Sequence, residues 1–227
     1  FLMWHFRKKN KIQPSPSDPP WIRKYLEETQ KIDPKTPSRE LDFAVVDLEA
    51  TGLDVHKDRI ISYASIPVHD FEIFPGQSYH CYVRQTYFDP GSILIHGLLQ
   101  KDIEDGLPEK EYLQTIIPLL TGKVLVGHHI GYDVAMINQA LKRHFDFQLV
   151  NPLVDTGDLY KKSFPSKFTY QRYPSRLPSL DEIAGEFDIL THNRHSAMGD
   201  ATITAFIFMK LWKMAEKGRK IRLKNLQ

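Results

Sequence analysis

The chain reads as an α/β protein built on a five-stranded mixed sheet with helices on its faces. Three observations lead there. Phe43 to Leu48 is apolar at odd and even positions alike, the pattern of a strand buried on both sides. Two more strand-like runs follow it closely enough to form an antiparallel meander with it. Beyond about residue 109 helical and strand-like stretches alternate, an order that calls for parallel pairing.

Residues 13–20 (QPSPSDPP) form a proline-rich spacer that cannot be helix or central strand. Residues 21–31 read as a short amphipathic helix with Trp21, Ile22, Tyr25 and Leu26 on one side, and 33–40 (DPKTPSRE) as a second linker. The expected organisation is an arm, linker and short helix over 1–40, one compact domain over 41–217, and a basic tail over 218–227. Within the domain, strands are expected at 42–48, 59–67 and 77–84. Leu107-Pro108 then opens a helix over 109–120. A strand at 123–127 precedes a helix over 133–144 that shows Met136, Ile137, Ala140 and Leu141 on one face. After a brief strand at Leu153-Val154, helices are expected at 156–163, 179–187 and 197–216. The stretch 164–178 holds three prolines with Tyr170, Arg172, Tyr173 and Arg176 and reads as a loop.

A hydrophobic content of 41% supplies a real core, while a net charge of only +2 means that nucleic-acid contact would need local basic patches. The single cysteine, Cys81, excludes an intrachain disulfide and fits a reducing compartment such as the cytoplasm. The opening FLMWHFRKKNK mixes apolar and basic residues over too short a span to cross a bilayer, so no integral membrane segment is expected. It could be a partner-touching arm or the remnant of a longer chain.

The chemistry is concentrated at the end of the first strand, in FAVVDLEATGLD. Side chains two apart on a strand leave the same face, so Asp47 and Glu49 point the same way. Two carboxylates side by side near an apolar interior repel each other, and a divalent cation removes the conflict. The chain carries its own controls: Asp70/Glu72 and Asp102/Glu104 share the spacing but lie in polar surroundings, where solvated charge is expected. Thr51-Gly52 follows only Asp47/Glu49, and there the backbone can turn sharply and approach a ligand.

Asp133, after the run GHHIGY, and Asp200, in HNRHSAMGDATITAF, sit near helix starts. Each alone is ordinary, because the helix dipole favours an acid there. Together with Asp47 and Glu49, however, they give four carboxylates at strand ends and helix starts, able to converge on one rim of the sheet. Four negative charges balance two divalent cations, and oxygen-only ligation points to Mg²⁺ or Mn²⁺. Two such cations about 3.5–4 Å apart are the usual clamp for in-line displacement at phosphorus. His195 precedes Asp200 by five residues, about 140° around a helix, so it belongs before the helix on a turn. A neutral imidazole there could take a proton from an attacking water. His128, His129 and His192 are rivals, and spacing alone does not choose between His195 and His192.

Three segments resemble the exonuclease motifs of the DnaQ-like (DEDDh) 3′–5′ exonucleases. They are Asp47-Leu48-Glu49-Ala50-Thr51-Gly52-Leu53, Gly127-His128-His129-Ile130-Gly131-Tyr132-Asp133 and His195-Ser196-Ala197-Met198-Gly199-Asp200-Ala201. Ile95-His96-Gly97-Leu98 with Asp102-Ile103, and Val154-Asp155-Thr156, match secondary signatures, so the resemblance covers about 41–212. It implies an RNase H-like fold and makes Asp47, Glu49, Asp133 and Asp200 the ligands of two Mg²⁺ or Mn²⁺ ions. It also makes His195 the general base. Residues matching Ala50, Thr51, Leu53, His129 and Tyr132 would border the 3′-terminal nucleotide of single-stranded DNA or RNA, which is released as a nucleoside 5′-monophosphate. Relatives commonly carry Asn in place of His129, Phe in place of Tyr132 and Glu-Thr-Thr-Gly in the first motif. The His128-His129 pair and the extension before Leu41 resemble stand-alone bacterial members. The short stretch after the last helix leaves little room for a polymerase-binding region, although a polymerase or other repair partner stays open.

Overall fold

A computed structural model describes residues 12–86, 97–169 and 176–227. The basic opening run, Ile95-His96, and Tyr170, Arg172 and Tyr173 of the expected loop lie outside the described residues. The chain begins with α1 (Pro20–Thr29), then β1 (Asp42–Ala50), β2 (Ile60–His69), β3 (Glu72–Ile73) and β4 (Tyr79–Arg84). Next come α2 (Gln100–Glu104), β5 (Leu107–Pro108), α3 (Glu109–Leu120), β6 (Val124–Gly127), α4 (Ile130–His144) and β7 (Leu153–Asp155). The remainder is helical: α5 (Thr156–Ser163), α6 (Pro165–Thr169), α7 (Leu180–Glu186), α8 (Ala197–Glu216) and α9 (Leu223–Leu226).

The sheet is mixed, in the order β5-β4-β2-β1-β6-β7 with β3 hairpinned on β2. β1 is antiparallel to β2 and parallel to β6, and β6 is parallel to β7. The five expected strands form its body. Two-residue strands β3 and β5 bring it to seven, too short to leave a periodic trace in the sequence.

Two cores lie on opposite faces. Phe43 and Val45 pack with Phe208 and Trp212 of α8, while Ala44, Val46 and Leu48 pack with α1, α3 and α4. This alternation explains why β1 is apolar at every position from Phe43 to Val46. Pairing of β1 with β6 ends at Val45↔Val126, whereas pairing with β2 runs on through Glu49↔Ser62 to a bulge before Ala50. The acidic end of β1 therefore stands free of β6.

Burial does not stop at the boundaries expected at 40/41 and 217/218. Ile22, Tyr25 and Leu26 of α1 are fully buried. The Tyr25 hydroxyl donates to Asn151 Oδ1 and accepts from the Val150 amide (2.9 Å), and Asn151 in turn donates to the carbonyls of Leu120 and Lys123. At the other end Leu223 and Leu226 are buried. The second linker and the tail are laced together by Ser38 N to Ile221 O (2.9 Å) and Leu223 N to Thr36 O (3.0 Å). Arg39 forks onto Glu216 at 2.8 Å, and Trp212 Nε1 donates to Ser38 Oγ. Both flanks are thus part of the packed body. The prolines of 13–20 and 33–40 suggested detachment of the first flank, because a proline-rich spacer says nothing about what its neighbours dock against.

The expected loop after α5 contains the short helix α6, and α4 begins three residues earlier than expected, at Ile130. Asp70 lies in the β2–β3 turn and is exposed, and Asp102 caps α2 by accepting from the Leu99 amide (2.7 Å). Both control pairs are thus remote from any acidic cluster. Among the described residues no helix is long and apolar enough to cross a membrane.

Candidate metal centre and active site

On β1, Asp47 and Glu49 continue the face of Phe43 and Val45, which looks toward α8. Asp200 lies in the first turn of α8, and oxygens of Asp47, Glu49 and Asp200 come within 4.8 Å of one another. Asp133 approaches from the other face, in the first turn of α4, and is buried beside the Leu48 backbone. It borders the cluster without joining that trio.

Electrostatic strain runs through the site. Burial, then repulsion from Asp133, Asp200 and Glu49, pushes Asp47 well above the usual carboxylate range. Burial and Asp200 push Glu49 up to about 7, with Arg194 pulling the other way. Burial also raises Asp133, repulsion by Asp155 and Glu49 adding to it against the backbone amides of Asp133 and Leu48. Asp200 Oδ1 is a buried oxygen with no hydrogen-bond partner, an expensive condition unless something binds it. A set of carboxylate oxygens with one orphaned acceptor suits a hard divalent cation, and these residues fit one.

The turn before α8 is built by close backbone contact. Ser196 caps the helix by accepting from Gly199 N (3.2 Å), and its hydroxyl donates to Asn193 O (2.6 Å). A Cβ on Gly199 would sit 2.0 Å from Asn193 O, so only glycine lets the turn fold over the helix start. Asn193 and His195 take left-handed backbone (φ 56° and 61°). His195 is exposed at this turn. Its neighbour Arg194 reaches the cluster, pairing with Asp200 Oδ2 while forking onto Asp181 of α7 at 2.6 and 3.1 Å. Burial opposes the charge on Arg194, but its hydrogen bonds to Asp181 and Asp200 outweigh that and raise its pKa.

The lip facing β1 is the loop 51–59. Thr51 is buried, donating to Asp58 Oδ1 (2.8 Å) and accepting from Arg59 N (3.0 Å), and Asp58 Oδ2 accepts from Asp54 N (2.7 Å). The Tyr132 hydroxyl donates to Gly52 O (2.7 Å), pinning the loop to α4. These contacts leave Leu53 82% exposed at the tip. Of the residues expected to border the terminal nucleotide, Thr51 and Tyr132 thus spend their hydroxyls on the loop itself. Ala50 is half-buried and Leu53 is fully presented.

His129 is the left-handed N-cap of α4 (φ 60°), its ring 4.4 Å from that of His128. His128 is half-buried and bonded to Thr156 Oγ1 (3.0 Å); burial, then the neighbouring His129, drives it down to about 3, so it is neutral. Asp155 accepts from Ile130 N (3.0 Å) with one oxygen and from Gly157 N (2.8 Å) with the other, tying the start of α4, and so Asp133, to the start of α5. Arg194, Asp181 and Asp58 escaped the reading of the sequence. An arginine inside HNRHS looks solvated, and nothing in the spacing marks Asp181 or Asp58. Asp155 carried a signal, since it follows an apolar strand.

Carboxylates gathered at the end of the central strand of an RNase H-like mixed sheet define a nuclease of the metal-dependent class. The profile of the exonuclease family (RNase_T) matches residues 44–208, and the chain belongs to that family as a 3′–5′ exonuclease of the DnaQ type. It is similar to the DNA polymerase III subunit epsilon of Aquifex aeolicus, with 33% identity over 82% of this chain and 89% of that one. It is also similar to the 3′–5′ exonuclease DinG of Staphylococcus haemolyticus, with 32% identity over 77% of this chain but only 18% of that protein. In fold it resembles E. coli exonuclease I solved with a dT13 oligonucleotide (TM-score 0.65, 18% identity), covering 78% of this chain and 42% of the other. The chain therefore spans nearly all of the epsilon relative and less than half of exonuclease I. Divalent metals are general in this family, and the carboxylate cluster is where one fits.

Proposed function

We propose that the chain removes nucleotides from the 3′ ends of single-stranded nucleic acid, DNA in preference to RNA, as nucleoside 5′-monophosphates. Asp47, Glu49, Asp133 and Asp200 would hold two Mg²⁺ or Mn²⁺ ions. The observation that carries this reading is the convergence of the Asp47, Glu49 and Asp200 oxygens with a buried, unpaired Asp200 Oδ1 among them. The bound cations would offset the charge of carboxylates and phosphate and lower the pKa of a water.

The rest falls to the chain's own side chains. Leu53 offers an exposed apolar surface to the terminal base beyond the acidic end of β1. His195, exposed on its left-handed turn five residues before Asp200, would swing over the site and take the proton of the attacking water. Beside the loop 51–59 a cleft of about 610 Å³ is lined by Asp54, Lys57, Asp58, Arg59, Gln85 and Thr86, with Lys57 paired to Asp54 (3.6 Å). Arg176, from the stretch read as a loop, is forked onto Glu182 (2.6 and 2.7 Å).

A proofreading subunit working with a polymerase is a second reading, favoured by the match across 89% of the epsilon relative. The test is a time course on 5′-labelled single-stranded DNA and RNA of one sequence, with Mn²⁺, then EDTA, then Mg²⁺ restored. A ladder shortening from the 3′ end, stopped by EDTA and restored by metal, is expected, with DNA faster. Activity that survives EDTA overturns the metal-dependent account, and faster cleavage of RNA makes the protein an exoribonuclease.

A further inference from the structure

We infer that Arg194 is the resident counter-ion of the metal centre: it holds Asp200 in the metal-free enzyme and is driven off it by the entering divalent cation. This rests on the metal reading above. Three features of the chain support it. Arg194 takes Asp200 Oδ2 while Oδ1 remains buried and bare, so the carboxylate is half-neutralised rather than satisfied. A guanidinium and a dication on one carboxylate repel strongly where solvent screening is poor, so they compete for it. Arg194 also has somewhere to go. Its fork on Asp181 (2.6 and 3.1 Å) faces outward, with the Asp181 side chain about half exposed (54%), and would retain the arginine at the rim after release.

The same exchange moves the neighbouring histidine. Arg194 lies between Asn193 and His195, both in left-handed backbone, on a turn closed against Gly199. While Arg194 is held on Asp200, this turn is latched to the first turn of α8. Release of the latch frees the segment carrying His195, so metal entry and placement of the imidazole become one event. Arg194 is thus a positioning residue, acting through Asp200 and His195. As a purely structural clamp between α7 and α8 it would contribute to stability and leave metal affinity unchanged.

The experiment is calorimetric titration of Mn²⁺ into the full chain, wild type beside Arg194→Gln, Arg194→Lys and Asp47→Asn, without nucleic acid. Arg194→Gln should bind Mn²⁺ roughly tenfold more tightly than wild type, with Arg194→Lys between them, because a competing charge has been removed or shortened. Its metal-free melting temperature should fall, and Mn²⁺ should raise it by more than it raises that of wild type. Equal affinity in wild type and Arg194→Gln overturns the proposal while sparing the metal site. So does an equal shift in the Lys and Gln variants, since charge would then not be the cause. Absence of binding to wild type and Arg194→Gln alike removes the metal centre and this proposal with it. The unmodified protein gives an independent readout: the Arg194 side-chain NMR signal should move on saturation with Mg²⁺, and a signal unchanged at saturation overturns the exchange.

Discussion

The two halves of the acidic site are held by different means. Asp47 and Glu49 stand on β1, fixed by register with β2 through Ala64 and Ser62 and by apolar packing on both faces of the strand. Asp200 stands on a helix start whose preceding turn is fixed by one glycine–carbonyl contact, a serine cap and the ion pairs of Arg194. The strand half cannot yield without breaking the sheet. The turn half can, and it carries His195 and Arg194. Like charges can be held together when one side is rigid and the other is balanced by a replaceable cation.

Removing a carboxylate from the rigid half should have the largest effect. Asp47→Asn should cost turnover about a thousandfold, as loss of several kcal/mol of charge stabilisation implies. Its melting temperature should be unchanged or higher, because repulsion with Glu49, Asp133 and Asp200 is relieved. Near-normal turnover would dismiss the strand half as catalytic. In the turn half, His195→Ala should lower the rate by roughly 10²–10⁴-fold with little change in substrate affinity. If His192→Ala does this instead, the wrong histidine has been assigned.

Gly199→Ala tests how the turn is held. Its Cβ would meet Asn193 O at 2.0 Å, so the turn must move, at a cost of about 1–3 kcal/mol. Thermal unfolding should show the loss, and turnover should fall with it. An alanine variant with wild-type stability would mean that the turn is not closed on the helix.

The strained carboxylates also set a pH signature. Glu49 is raised from 4.5 to about 7, so the folded metal-free state binds more protons than the unfolded one between those values. This term favours folding below pH about 4.5 and is lost as pH rises toward 7, whereas lowered carboxylates such as Glu109 and Glu216 run the opposite way. The difference between wild type and Glu49→Gln isolates it. The variant should gain stability relative to wild type across that interval, and Mn²⁺ should shrink the gap. A flat difference across the interval would remove the strain. Smallest of all, Tyr132→Phe deletes one hydrogen bond to Gly52 O and should cost about 0.5–1.5 kcal/mol, with a modest rise in KM as the loop 51–59 loosens.

Much of the rigid half was legible in the sequence because strand periodicity states which side chains share a face. Asp47 and Glu49 could be placed from FAVVDLE alone, and the long helix expected over 197–216 places Asp200. The turn half was not, because its contacts are made by backbone and side chains within a turn. Nothing in HNRHS tells a solvated arginine from one folded back onto the carboxylate six residues on. The docking of Tyr25 and Leu223 was hidden for a related reason: each is buried against segments more than a hundred residues away in sequence or by a linker's return. Among the neighbours of the site, Thr51 shows the limit of motif matching, since its hydroxyl serves Asp58 and the loop.

The most direct test of the account is anomalous diffraction from crystals soaked in Mn²⁺. The account predicts Mn²⁺ bound by Asp47, Glu49 and Asp200, with Arg194 withdrawn from Asp200 onto Asp181. Manganese bound elsewhere, with Arg194 still on Asp200 and no density between the carboxylates, would contradict it.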